Sequence, residues 1–74
     1  MVSDYWPSLY WDSAYAIAVT LVTLYPDTDP ELVGLEELAT MVVQLPGFAD
    51  DPALANDRLL KDIIIAWYEE KETV

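Results

Sequence analysis

The sequence predicts a small all-α domain, with three main helices, one short helical turn and no confident strand. Three observations carry this expectation. Apolar residues recur at helical spacing in three separate segments. Those segments are bounded by capping residues, prolines and glycines. At 74 residues the chain forms one domain at most, and a domain of that size buries only about 60% of the surface its unfolded chain exposes, so the core must be small.

The first helix is expected to start at "WDSAY", where Asp12 or Ser13 can accept a hydrogen bond from a free first-turn amide, and to end before Pro26. Ile17, Leu21 and Leu24 share one face. Tyr15, Val19 and Val22 make the opposite face apolar as well, so something must cover it. The candidate cover is the N-terminal arm "VSDYWPSLYW". Five of the nine aromatic residues (Tyr5, Trp6, Tyr10, Trp11 and Tyr15) lie in the first fifteen positions, and the arm is expected to fold back on this helix.

"DTDPEL" reads as a short helical start. Asp29 is the cap, Pro30 takes the first position, where a missing N–H costs nothing, and Glu31 faces the positive end of the dipole. Gly34 interrupts it. "LEELATMVVQL" then places Leu35, Leu38, Val42 and Leu45 at helical spacing, and "LPG" closes that helix. "PGFADDPALAN" is expected to be an irregular loop pinned by Phe48. Asn56 caps the last helix, Asp57 sits in its first turn, and Leu60, Ile63, Ile64 and Trp67 form its buried stripe. "EEKE" frays into solvent. The resulting division is an arm at 1–10, a helical domain at 11–70 and a frayed end at 71–74.

Composition excludes much chemistry. The net charge is −11, yet 54% of the residues are hydrophobic, which separates the chain from disordered acidic tails. Residues 1–57 carry ten carboxylates and no cation, since Arg58, Lys61 and Lys71 all lie later. Such a field repels nucleic acid and anionic membranes and favours encounter with a basic protein surface or a cation. The sequence has no cysteine and no histidine, so the usual thiolate, imidazole and soft-metal chemistries are missing. The longest apolar run, from Ala14 to Leu24, is shorter than the roughly 20 residues of a membrane span. No basic segment precedes it as in a signal peptide. The expectation is a cytoplasmic protein that is not an enzyme.

Two motifs invite sharper readings and fail. Asp27, Asp29 and Glu31 take positions one, three and five of a calcium-binding EF-hand loop, but Leu32 stands where a glycine is needed and Leu38 where a bidentate glutamate belongs. "DS" at 12–13 suggests an acyl carrier serine, but it opens the first helix and is followed by Ala14, so capping is the simpler reading. Capping accounts for Asp29 and Glu31 and leaves Asp27, Asp50 and Asp51 as candidates for a weak hard-cation site.

Taken together, "WDS", Ile17, Leu21, "YPDTDP" at 25–30, Val33, Leu45, Phe48, "DDP" at 50–52, Asn56, Leu60, Ile63, Trp67 and Glu70 resemble the IscX family. Its members are small acidic adaptors of bacterial iron-sulfur cluster assembly. The resemblance covers Trp11 to Glu70. It implies a modified winged-helix fold whose acidic surface cannot serve on DNA, binding to the cysteine desulfurase, weak iron binding, and modulation of sulfur delivery in competition with the frataxin-like protein. It places the partner contact at Asp27, Asp29, Asp50, Asp51, Glu69 and Glu70, with Glu31 beside them, and weak iron at Asp27, Asp29, Asp50 and Asp51. No tightly bound cofactor is expected. The chain departs from the family at Ala16, Val19, Thr23, Gln44, Pro46, Gly47 and Ala49, where acidic or polar residues are usual. This weakens the iron inference and leaves a homodimer through helix one as an alternative to a monomer. The alternative function is an acidic interaction module for another basic partner, such as a nucleic-acid mimic.

Overall fold

The computed structural model describes residues 8–73. These residues form an all-helical domain: α1 (Ala14–Leu24), a 3-10 turn (Pro30–Leu32), α2 (Leu35–Val43), a second 3-10 turn (Pro52–Leu54) and α3 (Asp57–Thr73). α3 is the hub. It packs most extensively on α1 and also touches α2 and the first 3-10 turn.

Helix α1 starts and stops as its sequence predicts, but its cap differs. Ser13 has φ −91 and ψ 57, away from the extended geometry that aims a side-chain oxygen at the first-turn amides, and no side-chain cap forms. Its carbonyl instead accepts from the Ile17 amide at 2.9 Å. Ile17, Ala18 and Leu21 are fully buried. Thr20 is buried with them, and its hydroxyl is satisfied by donating to the Ala16 carbonyl at 2.9 Å. Leu24, expected on the buried face, is 41% exposed. It is the last helical residue, and the chain turns at Tyr25, which packs against the core in its place.

Helix α2 follows Gly34, which is extended (φ −74, ψ 161), with Glu36 and Glu37 in the first turn where the dipole favours them. Leu38 and Val42 are fully buried, and Leu45 lies buried just past the helix end. Gly47 then takes φ 89, a left-handed conformation that a side chain disfavours, and the chain reverses.

Helix α3 is capped by Asn56, whose Oδ1 accepts from the Leu59 amide at 2.9 Å. Leu60, Ile63 and Trp67 form its buried stripe, while Ile64 is only half-buried. Each such large side chain contributes about 1.5–3 kcal/mol on burial. The Trp67 indole N–H has no hydrogen-bond partner among the described residues. The expected fraying at "EEKE" is overturned. α3 continues to Thr73 through strong helix formers, and the Lys71 Nζ donates to the Pro26 carbonyl at 2.7 Å, tying the last turn to the loop after α1.

The N-terminal segment does fold back, but its recorded contacts are with the 47–51 loop. Leu9 makes an isolated parallel bridge with Phe48. Its amide donates to the Gly47 carbonyl at 2.8 Å, and its carbonyl accepts from the Ala49 amide at 2.9 Å. Leu9 and Trp11 are core residues, 0% and 2% exposed, so the core extends into the stretch assigned to an arm. The Trp11 ring meets Phe48 edge-on at 5.2 Å. Tyr5 and Trp6 lie outside the described residues. Tyr15 is 68% exposed, so the outer end of α1 is not covered by the described part of the arm.

Candidate functional site

The two 3-10 turns are copies of one device. "DPEL" at 29–32 and "DPAL" at 51–54 each place an extended aspartate before a proline, and each carboxylate accepts the amide two residues on at 2.9 Å, Glu31 to Asp29 and Ala53 to Asp51. The first was expected from its sequence. The second carries the same aspartate-proline signature inside a stretch read as irregular loop. Both hold a leucine outward, Leu32 at 82% and Leu54 at 56% exposed.

Asp50 is committed more deeply than a docking residue needs to be. Its Oδ2 accepts from the Trp11 amide at 2.9 Å and its Oδ1 from the Asp51 amide at 2.7 Å. The Trp11 indole N–H donates to the Asp51 carbonyl at 2.8 Å. "DDP" therefore latches the N-terminal segment onto the core. Charge-assisted bonds of this kind are among the stronger ones in a small domain.

Asp27, Asp29 and Glu31 come together with the last turns of α3. With Pro30, Tyr68, Lys71 and Glu72 they line a groove of about 450 Å³. The Tyr68 phenol reports the local field. Its pKa is raised, first by the negative charge of Glu72, then by that of Glu31, with a hydrogen bond to Glu72 adding to the effect. Tyr68 and Glu72 were not singled out in the sequence. Their position one turn apart on α3, just after buried Trp67, is the signal that could have found them. Glu69 and Glu70 lie on the same turns, Glu69 exposed and Glu70 half-buried, but neither lines the groove.

Asp50 belongs to a different place. It lines a second, mainly apolar groove of about 440 Å³ with Tyr10, Trp11, Asp12, Leu54 and Leu59. Leu59 and Tyr68 are nine positions apart on α3, which corresponds to roughly 13.5 Å along the axis. The four aspartates proposed for iron thus divide into two pairs near opposite ends of α3. Hard cations take oxygen ligands at about 2.0–2.6 Å. Among the described residues no group of three or more carboxylates is placed to hold a metal ion, so the donors do not fit a resident metal centre. No helix of the described chain is long and apolar enough to cross a membrane.

Comparison with known proteins assigns the chain to a family. The iron-sulphur cluster assembly family matches residues 9–72, nearly the whole described chain. An uncharacterized protein of Pseudomonas aeruginosa is 38% identical over 65 residues, covering 88% of this chain and 98% of the relative. The match begins at Leu9, the first buried residue among those described, and extends past both proline turns to Glu72. The chain belongs to the iron-sulphur cluster assembly family, the IscX family that its punctuated sequence resembles.

Proposed function

We propose that the protein is a non-enzymatic, cytoplasmic adaptor of iron-sulfur cluster assembly that docks a basic face of the cysteine desulfurase and modulates its sulfur delivery. The observation that carries this reading is the groove between the first proline turn and the end of α3. There Asp27, Asp29, Glu31 and Glu72 line the groove beside the Tyr68 phenol, whose ionisation is suppressed first by the charge of Glu72, then by that of Glu31, with a smaller effect from Asp29. A surface of that sign speeds approach to a cationic patch and repels other acidic proteins competing for it. Affinity is set less by charge, because exposed ion pairs contribute about 0–1 kcal/mol each and are screened by salt. Asp50 and Asp51 support docking indirectly, by fixing the 47–54 loop. We propose iron as a weak, exchangeable ligand of the Asp27–Asp29 side, with water completing its shell. The three helices and the Leu9–Phe48 bridge are compatible with the modified winged-helix type, which we propose as the fold's relationship.

The test is retention of purified cysteine desulfurase on the immobilised protein together with cysteine turnover. The adaptor reading expects retention and slowed turnover. Failure of both with folded protein would contradict it and favour the alternative of an acidic module for another basic partner.

A further inference from the structure

The acidic groove contains a cation of its own. Lys71 is the one basic residue among those lining it, beside Asp27, Asp29, Glu31 and Glu72. Its ammonium is held by the main-chain carbonyl of Pro26 at 2.7 Å, across 45 positions of sequence. A carbonyl partner fixes where the charge sits without neutralising it. Lys71 therefore weakens the negative potential of the groove at the place a partner's cation would enter. Arg58 and Lys61, the other two cations, lie near the opposite end of α3.

We infer that Lys71 is an internal competitor for the docking groove, a tethered ammonium that lowers its affinity for lysine and arginine side chains and tunes the contact towards reversibility. The inference rests on the docking reading proposed above and concerns the regulation of that same surface. Two cations about 6 Å apart in water repel enough to weaken binding roughly threefold without screening, and roughly twofold once screening at physiological salt is included. Lys61 is ten positions earlier on α3, roughly 15 Å along the axis. That exceeds the Debye length of about 8 Å at physiological salt, so neutralising Lys61 changes net charge without opening the groove.

The experiment compares the native chain, Lys71→Gln, Lys61→Gln and Lys71→Arg, each checked for folding by circular dichroism and assayed well below its melting midpoint. Two probes are titrated at physiological salt, a hexalysine peptide and purified cysteine desulfurase. Lys71→Gln is expected to bind hexalysine about twofold tighter than the native chain. Lys61→Gln should change little, and Lys71→Arg should stay at the native value. Equal effects of Lys71→Gln and Lys61→Gln, or weaker binding by folded Lys71→Gln, would overturn the inference. The desulfurase arm separates the two proposals. If hexalysine shows the expected order and desulfurase binds no variant, the choice of partner fails while the role of Lys71 stands. If desulfurase binds all variants alike and hexalysine does the same, docking stands and the role of Lys71 falls.

Discussion

Replacing Asp50 with alanine separates a structural carboxylate from a docking one. Its two oxygens accept the Trp11 and Asp51 amides at 2.9 and 2.7 Å. Hydrogen bonds to charged groups contribute about 1.5–3 kcal/mol each. The bond to the Asp51 amide is exposed, so water can replace much of it; the Trp11 amide belongs to a residue only 2% exposed and is harder to satisfy. A net loss of about 2 kcal/mol follows, and for a domain of this size it lowers the thermal midpoint by about 8–16 °C. Asp50→Asn should fall between, since an amide keeps one acceptor and turns an NH₂ group towards the second backbone donor. Asp27→Asn, which alters charge at an exposed position, should stay within about 0.5 kcal/mol of native. Far-UV circular dichroism gives the midpoints, and near-UV dichroism follows the tryptophan environment. A midpoint for Asp50→Ala within about 2 °C of native would refute the latch.

Deleting residues 1–9 removes Leu9 from the core and should cost about 2–5 kcal/mol in chemical denaturation, whereas deleting 1–7 leaves it in place; equal losses from the two truncations would place the anchoring earlier in the arm. Because the phenol of Tyr68 has a raised pKa, the folded state holds a proton that the unfolded state releases. Its contribution to stability is therefore complete below the ordinary tyrosine pKa and is lost as pH rises through the folded value. Tyr68→Phe should flatten the alkaline fall in stability, and an identical profile in the variant would assign that fall to other groups.

Much of the helical plan is legible in the sequence because its signals are local. Asp29 before Pro30 and Asn56 before Asp57 announce their caps within three residues, and the structure uses both. The stripe Leu60, Ile63, Trp67 follows from helical periodicity alone. What stayed hidden depends on distance along the chain. Asp50 reaches Trp11 across 39 positions, and Lys71 reaches Pro26 across 45. No local pattern encodes such pairings. Leu24 and Ser13 show the limits of periodicity and propensity at a helix end, where the turn of the chain decides which side chain is buried and which oxygen can aim at an amide. The second aspartate-proline turn was legible in principle, being a repeat of the first, and the glycine and prolines around it suggested a loop instead.

The site was legible in sign and only half legible in place. Asp27, Asp29 and Glu31 lie together as their spacing suggests. Their neighbours Tyr68 and Glu72 come from a helix that begins 26 residues after Glu31, and only the packing of α3 against the first turn brings them there. Asp50 lines the other groove, held beside the N-terminal segment by its bond to the Trp11 amide.

The central claim, that the acidic groove at the end of α3 docks a cationic partner, is tested most directly by titrating cysteine desulfurase over a range of salt concentrations with the native chain and with Asp27→Asn/Glu31→Gln. Both substitutions lie on exposed side chains that cap neither turn. The account predicts affinity that falls steeply with ionic strength in the native protein, and weaker binding with a shallower salt dependence in the double variant. Affinity insensitive to salt and unchanged by the two amides would contradict it.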